Sequence, residues 1–424
     1  MKRKLLFGII CLLLTAAMGF AAGQQEGATG DESVTLKVWS WVYSQGEGPV
    51  LKAVLQDYRD QNPNVTIEEI DTPWAQAHDK FIVMNQSKDV PQITGVNRNW
   101  LTEFVSIGAL TDLTPYVESV PGMRDKYYDA VKGEMDGKVW VLPYSGGNAA
   151  LVYNKKVFAE KGLTPPATLQ EFVEVGKILS DPAANKYATQ LCIAESNSTG
   201  AHVCNYGPVL YSFGGKYLEG KKAAFNSPEG VEALEWMIAL EKDLNIAGPG
   251  SITVDARAMR ESLAGGSSFM NFDGSWGTPF YNKYPEVEIG IAPMPKGASM
   301  GTVINIANWG IPAKAKNKDA AWDLLKFIES DENMLRLFEE ANVMPCMPKY
   351  GELPQFQEKY SGFLITLAES DNFMQTGSVP HESDLYKILV RAYQKAYLGQ
   401  ASAKDALDAA AVEYNKLLDR FYSN

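Results

Sequence analysis

Aromatic side chains at every second position mark the first segment of the chain that could do chemistry. Residues 34–48 read VTLKVWSWVYSQGEG, with Trp39, Trp41 and Tyr43 at alternate positions. This alternation places the three rings on one face of a strand, which the following Ser, Gln and Gly residues end. The rings can belong to a core or form a flat aromatic wall at a ligand cleft. We expect Trp39 in the core, and Trp41, Tyr43 and Glu47 at the cleft.

A second polar and aromatic group ends another apolar run. In GVNRNW, the segment of residues 95–100, Asn97, Arg98 and Trp100 follow two apolar positions. Amide and guanidinium groups suit the recognition of hydroxyl groups. A solvated turn is the alternative interpretation of the same residues.

Signatures of catalysis and of metal binding are missing from the sequence. Its three histidines, His78, His202 and His381, form no H-E-x-x-H motif, and no phosphate loop occurs. Residues 297–301, GASMG, match G-x-S-x-G, but they lie between two strand-like runs, whereas the nucleophile turn of that motif leads from a strand into a helix. No Cys/His cluster has the spacing of a metal site. We therefore expect neither an enzyme nor a bound cofactor.

The chain begins like an exported protein. MKRKLLFGIICLLLTAAMGFAA combines a basic start, an apolar run and small residues, which predicts a signal peptide over residues 1–22. A retained anchor is the alternative, but the run is shorter than the ~20 apolar residues of a spanning helix. Residues 23–33 read as a flexible leader. We expect a periplasmic protein, and the sequence leaves open whether it is free or tethered at the outer face of the membrane.

Composition bounds the class of the protein and its partners. Hydrophobic residues make up 46% and charged residues 21% of the 424 residues, which is typical of a globular protein with two or three domains. Loss of the three basic residues of the signal peptide takes the formal charge from −12 to −15. Such an acidic surface repels nucleic acid, so we expect the protein to bind none. We also expect a monomer.

Three cysteines follow the signal peptide. Cys192 and Cys204 bracket a polar stretch and could form a small-loop disulfide in an oxidising compartment. The sequence does not decide whether they are bonded. Cys346 is then left over, and a buried thiol is the expected state.

The elements that must position these residues alternate between strands and helices. An amphipathic pattern with Val50, Val54, Leu55 and Tyr58 follows the first strand and ends at Asn62-Pro63, before the strand VTIEEI. Parallel strands need such crossover helices, so the pattern predicts an α/β fold with a mostly parallel sheet. Ser227 and Pro228 are typical of the start of a later helix.

Several segments in order carry a resemblance to a known family. They are VTLKVWSW, NPNVTIEEI, IGALTDLTPYV, GKVWVLPYSGGNAALVYNKKVFAEKGLTPPATLQEF, NWGIPAKAKNKDAAWDLLKFIES and QASAKDALDAAAVEYNKLL. In this order they resemble the extracellular solute-binding proteins of ABC importers, in the carbohydrate-binding group that includes maltose-binding protein. Leu169 stands where a Trp is common in that family.

The resemblance implies a fold and a mode of action. It implies the two-lobed periplasmic-binding-protein-like fold of type II, with discontinuous lobes joined by crossing hinge strands. The lobes are then residues 34–147 with 302–343 and residues 148–301 with 344–424. The implied partners are a carbohydrate ligand, captured by hinge closure, and the membrane permease subunits of an importer.

The resemblance also implies further ligand-binding residues. A sugar offers C–H patches to aromatic rings and hydroxyl groups to polar side chains. Residues at the crossing, in the loop FDGSWGTPF and on the strand before Gly310 are similar in position to cleft residues of relatives: Tyr144, Asn148, Asp273, Trp276, Asn308 and Trp309. Trp74 and Tyr206 are secondary candidates, and His381 fits a surface position better.

Two other functions compete with the binding of a neutral mono- or oligosaccharide. A sugar acid or a glycerol phosphate ester would need basic groups in the cleft, and Arg98 is the only basic residue among the candidates. A secreted carbohydrate-active enzyme would need two carboxylates about 5–9.5 Å apart. Glu47, Asp71 and Asp273 could supply them, but the sequence cannot place them together.

Overall fold

The computed structural model describes residues 33–370 and 372–423. The predicted signal peptide, and all but the last residue of the predicted leader, lie outside the described residues. Within the described ranges, no helix combines the length and the apolar character that a membrane crossing requires.

Thirteen strands form four sheets in the described part of the chain. In chain order they are β1 (Val34–Ser40), β2 (Val65–Asp71), β3 (Ile93–Asn97), β4 (Gly133–Met135), β5 (Lys138–Pro143), β6 (Ala149–Asn154), β7 (Leu218–Glu219), β8 (Lys222–Ala223), β9 (Met270–Gly274), β10 (Ile289–Ala292), β11 (Gly301–Ile304), β12 (Ala307–Gly310) and β13 (Asn372–Gln375).

Helices cover the sheets and make up most of the carboxyl-terminal part. The α-helices are Gly48–Gln61, Trp74–Gln86, Leu101–Ser106, Thr114–Glu118, Lys155–Glu160, Leu169–Leu179, Ser198–Gly200, Gly207–Ser212, Pro228–Lys242, Ala256–Ala264, Lys318–Ile328, Asp331–Glu340, Pro348–Gly351, Pro354–Lys359, Ser361–Glu369, Glu382–Tyr397 and Ala403–Ser423. Short 3₁₀-helices include Val42–Ser44, Arg98–Trp100, Glu195–Asn197 and Ser275–Lys283, and Ala201–Tyr206 is a π-helix.

The largest sheet has six strands in the order β2-β1-β3-β12-β5-β4. Strand β1 runs parallel to β2 and β3, and the helices Gly48–Gln61 and Trp74–Gln86 make the crossovers that parallel strands need. The carboxyl ends of β1, β2 and β3 therefore meet at one edge, where ligands bind in open α/β sheets. Strand β12 is antiparallel to both β3 and β5, and β4 is antiparallel to β5. The prediction of a mostly parallel sheet is wrong, because crossover helices connect only β1, β2 and β3, and the other three strands join the sheet in antiparallel pairs.

Helix signals in the sequence act as predicted. The helix Gly48–Gln61 buries Val50, Leu51, Val54, Leu55 and Tyr58 on one face, as its apolar spacing predicts. Ser227 accepts a hydrogen bond from the amide of Gly230 and caps the helix Pro228–Lys242, whose first residue is proline.

The apolar side chains divide into two buried clusters. The first cluster surrounds the six-stranded sheet, with Trp39, Phe81 and Trp309 in its interior. The second cluster surrounds the three-stranded sheet β10-β6-β9, with Tyr206 and Tyr386 in its interior. We name the parts of the chain packed on these clusters the first lobe and the second lobe.

The chain passes between the lobes at more than one place. It leaves the first lobe after β5, which ends at Pro143, and enters the second at β6; it returns between β11 and β12. The predicted lobe limits stay a prediction, but the packing differs at residues 344–363. Tyr350 and Phe356 pack on Phe338 in the first cluster, because the short helices that carry them bury their apolar faces there.

Candidate ligand-binding site

A cavity of about 90 Å³ lies between the two lobes. Its first-lobe wall follows the carboxyl ends of β2 and β3, and its second-lobe wall combines the segment Glu195–Thr199 with the first turns of the helix Glu382–Tyr397. This volume has room for several water-sized groups. The lining residues are Trp74, Ala75, His78, Asp79, Trp100, Glu195, Ser196, Asn197, Ser198, Thr199, Ser383 and Lys387.

Three indoles stand together at the first-lobe wall. Trp74 stacks on Trp100 with ring centroids 5.2 Å apart and planes at 23°. Trp41 meets both rings edge-on, at 4.9 Å from Trp74 and 5.1 Å from Trp100. Trp41 and Trp100 are buried, whereas Trp74 is half-buried, so Trp74 offers an open indole surface to the cavity.

His78 is held by two carboxylates at the same wall. Its Nδ1 lies 2.9 Å from Asp79 Oδ1 and its Nε2 lies 2.8 Å from Glu103 Oε2. Burial lowers the pKa of His78, but the hydrogen bonds with Glu103 and Asp79 raise it more, so its pKa lies above the ordinary value. The hydrogen bond with His78 lowers the pKa of Asp79, and Lys387 lowers that pKa further from the second lobe.

The second-lobe wall is polar. Asn197 Oδ1 accepts a hydrogen bond from the amide of Gly200, which fixes the turn before the π-helix. The hydroxyl and amide groups of Asn197, Ser198, Thr199 and Ser383 line the cavity. The ammonium group of Lys387 forms no ion pair among the described residues.

Trp39, Trp41 and Tyr43 do not share one environment. Trp39 is in the core, as predicted, and its Nε1 donates to Thr72 Oγ1 at 2.9 Å. Trp41 is buried and does not line the cavity; it packs behind Trp74 and Trp100, which do. Tyr43 does not reach the cavity, because β1 ends at Ser40 and the 3₁₀-helix Val42–Ser44 turns the Tyr43 hydroxyl back to the carbonyl of Val38.

Glu47 lies beside the 3₁₀-helix Ser275–Lys283 and not at the cavity. A Cβ on Gly46 would lie 2.5 Å from Pro279 Cβ, so the loop that carries Glu47 packs closely on this helix. Burial raises the pKa of Glu47 to about 7, although Arg260 lowers it. Burial raises the pKa of Tyr144, and the charge of Glu47 raises it further. Glu47 therefore faces protein groups rather than the cavity.

The Asn97-Arg98 pair binds the protein itself rather than a ligand. Asn97 Oδ1 accepts from the amide of Asn99 at 3.3 Å. Arg98 Nη1 donates to the carbonyl of Lys132 at 2.5 Å and Nη2 to that of Glu134 at 3.4 Å. Burial lowers the pKa of Arg98 to about 10. Neither side chain lines the cavity.

Asp273 lies in strand β9 of the second-lobe sheet, and Trp276 follows that strand. Both oxygens of Asp273 accept from Arg260, Oδ2 from Nε and Oδ1 from Nη2, each at 2.7 Å. This bidentate pair uses the carboxylate, so Asp273 is not available to a ligand in this arrangement. Trp276 is half-buried and packs over Gly147 and Gly274.

The remaining predicted ligand-binding residues lie on or beside the crossing strands and contact other protein groups. Asn148 Nδ2 donates to the carbonyl of Phe363 at 3.1 Å. Asn308 Nδ2 donates to the carbonyl of Val96 at 3.1 Å, because β12 lies in the middle of the sheet. Tyr144 stacks on Trp309 at 5.0 Å, and both rings are buried in the first lobe.

Cys192 and Cys204 are free, buried thiols in the structure, not a disulfide. Cys204 Sγ donates to Asp273 Oδ1 at 3.6 Å and Cys192 Sγ to the carbonyl of Gly200 at 3.7 Å, so each thiol has its own acceptor. Cys346 is a buried thiol, as predicted, and donates to the carbonyl of Pro143.

Sequence reasoning missed most of the cavity. Trp74 and Trp100 each follow a strand of the parallel sheet, a signal that could have ranked them above Tyr43. Lys387 and Ser383 carry no local signal, because only the packing of the helix Glu382–Tyr397 brings them to the first lobe. Within residues 33–370 and 372–423, no group of three or more His, Cys, Asp or Glu side chains could hold a metal ion.

Comparison with known proteins agrees with this architecture. A family model described as bacterial extracellular solute-binding protein matches residues 53–361. The galactooligosaccharide-binding protein of Bacillus subtilis (strain 168) is 22% identical over 425 residues, 97% of this chain and 96% of that protein.

Solved structures share the two-lobed fold. An ABC transporter solute-binding protein of Thermotoga lettingae TMO, bound with alpha-D-tagatose, has a TM-score of 0.83 at 22% identity, covering 91% of this chain and 100% of its own. Maltose-bound MalE3 of T. maritima has a TM-score of 0.80 at 22% identity, with the same coverage. The predicted two-lobed α/β fold is confirmed.

Proposed function

Since this chain belongs to the bacterial extracellular solute-binding protein family, we propose that it is the substrate-binding component of an ABC sugar importer. It captures a mono- or oligosaccharide between its lobes by hinge closure and delivers it to a membrane permease. It acts as a monomer outside the cytoplasmic membrane, without altering the sugar covalently.

The observation that carries this proposal is the composition of the interlobe cavity. The first lobe supplies the open indole surface of Trp74, backed by Trp100 and Trp41. The second lobe supplies hydroxyl and amide groups from Asn197, Ser198 and neighbouring residues. A sugar matches both walls, because its C–H faces pack on an indole and its hydroxyl groups need polar partners.

Lys387 supports a second candidate ligand class. Its ammonium group lines the cavity and forms no ion pair within the described residues. The sequence-based preference for a neutral ligand depended on the absence of lysine from the candidates, and Lys387 removes that argument. A sugar acid or a glycerol phosphate ester could place its anionic group at this residue.

A thermal-shift screen distinguishes these ligand classes. The panel contains galactooligosaccharides, maltotriose, tagatose, uronic acids and glycerol phosphate esters. A ligand at a hundred times its Kd adds about 2.7 kcal/mol to stability. Stabilisation by a neutral sugar supports the first proposal, and stabilisation by the anionic compounds alone supports the second. Cleavage of a glycoside, followed by chromatography of the mixture, would contradict both.

The variant Trp74→Ala tests the place of the site. We expect it to remove the thermal shift given by the stabilising sugar while the unliganded protein stays folded. The matched control is Trp140→Ala, since Trp140 is also half-buried in the first lobe but does not line the cavity. An unchanged thermal shift in Trp74→Ala would show that the sugar binds elsewhere on the protein.

A further inference from the structure

A turn of the second lobe, residues 375–378, docks on the first lobe beside the cavity. Thr102 Oγ1, on the first lobe, donates to the carbonyl of Gly377 at 2.5 Å. Thr102 lies between Leu101 and Phe104 of the first cluster, whereas Met374 and Val379 beside the turn belong to the second cluster. The hydrogen bond therefore joins the two lobes.

The fit between this turn and the first lobe is close. The φ of Gly377 is +81°, a conformation that L side chains rarely adopt. A Cβ at this position would lie 2.3 Å from the carbonyl oxygen of Arg98. Only glycine therefore lets the turn approach the first lobe this closely. A second anchor is the hydrogen bond from Thr376 Oγ1 to Asn305 Oδ1 at 3.0 Å, in the crossing segment.

Glu382 holds the turn from the side of the second lobe. It is buried, its Oε2 accepts from the amide of Gly377 at 2.7 Å, and its Oε1 accepts from the Tyr386 hydroxyl at 2.7 Å. The same helix carries Ser383 and Lys387 to the cavity. On the first lobe, Trp100 of the cavity wall lies two residues before Thr102.

We propose that Glu382 is a positioning residue of the binding site, which sets the separation of the two cavity walls through Gly377 and Thr102. Glu382 accepts a hydrogen bond from the Gly377 amide, and the Gly377 carbonyl accepts one from Thr102. These two hydrogen bonds connect the cavity walls beside Trp100 and Ser383. This inference goes beyond the proposed function, because it concerns the lobes without a ligand.

Amide hydrogen exchange of the unliganded protein tests the proposal. In Glu382→Met, which has no carboxylate acceptor for the Gly377 amide, and in Thr102→Val, we expect exchange in residues 99–106 and 372–380 to be about three- to tenfold faster, the effect of losing one hydrogen bond of ordinary strength. Thr102→Ser keeps the hydroxyl group and restores the wild-type rates. A local role for Glu382 in the second lobe would leave the first-lobe segment 99–106 unchanged, and that result overturns the proposal.

Matched controls separate this contact from general destabilisation. Asp384→Asn changes an exposed carboxylate on the same helix, and Thr111→Val removes a hydroxyl that donates to the carbonyl of Pro312 within the first lobe. Neither should change exchange in the two segments.

Gly377→Ala provides a second measurement. Its Cβ clashes with the carbonyl oxygen of Arg98 and separates the turn from the first lobe. We therefore expect a larger radius of gyration by small-angle scattering, with the far-ultraviolet circular dichroism of the wild type. An unchanged radius overturns the proposal. Since no sugar is added, failure of the sugar screen leaves this result intact.

Discussion

Single residues show how burial changes the chemistry of ordinary side chains. Glu329 is buried. Its Oε2 accepts from the Tyr127 hydroxyl at 2.8 Å, while its Oε1 has no hydrogen-bond partner among residues 33–370 and 372–423. Burial raises its pKa to about 7, although Lys126 lowers it. A carboxylate in this place costs stability whenever it is ionised.

The first prediction concerns the pH dependence that Glu329 causes. Its folded-state pKa is higher than its unfolded value of 4.5, so its contribution to stability is fully present below pH 4.5 and is lost as the pH rises through 7. The loss between pH 5 and pH 8 amounts to about 2–3 kcal/mol. We expect Glu329→Gln to flatten this decrease in the free energy of unfolding, measured with urea at both pH values.

The control for this prediction is Glu332→Gln, which changes an exposed carboxylate nearby. It should keep the wild-type pH dependence. If the free energy of unfolding decreases with pH as much in Glu329→Gln as in the wild type, Glu329 is ionised in the folded protein at pH 5.

Helices and strands can be predicted from nearby residues more reliably than contacts between distant residues can. Thr168 and Glu171 form a reciprocal cap at the start of the helix Leu169–Leu179. Thr168 Oγ1 accepts from the amide of Glu171 at 3.1 Å, and Glu171 Oε2 accepts from the amide of Ala167 at 2.8 Å. These bonds satisfy backbone groups that the helix Leu169–Leu179 itself cannot.

The second prediction concerns this cap. Thr168→Ala should lower the free energy of unfolding by about 1 kcal/mol, because an amide of the first turn loses its acceptor. Thr168→Ser should recover most of that loss. Urea unfolding followed by circular dichroism measures both, and equal stability of the alanine and serine variants would contradict the role of the hydroxyl.

The sequence predicted the elements and the fold, but only part of the site. Strands, helices and helix caps depend on residues that are close in the chain, so the local sequence pattern predicts them. Tyr43 was placed at the cleft because the alternation was extended past Ser40, where the backbone turns. Asp273 looks free in the sequence, yet Arg260, thirteen residues before it, binds both its oxygens. Lys387 reaches the cavity only through packing between distant segments.

At the scale of the whole molecule, the two lobes are not consecutive pieces of chain. Strand β12 lies between β3 and β5 in the six-stranded sheet, although the 163 residues from 144 to 306 separate the end of β5 from the start of β12. Without β12, the strands β3 and β5 lose their shared neighbour, and each presents unpaired backbone groups.

The third prediction tests this dependence. A chain of residues 33–300 should lack a cooperative unfolding transition for the first lobe, measured by tryptophan fluorescence in urea, whereas residues 33–424 should show one. A cooperative transition in the shorter chain would show that the first lobe folds without β12.

The late position of β12 bears on biosynthesis. A ribosome must release more than three hundred residues before the middle of the first sheet exists, so the growing polypeptide cannot finish that half early. The first lobe can complete its central sheet only after residues 307–310 have been synthesised.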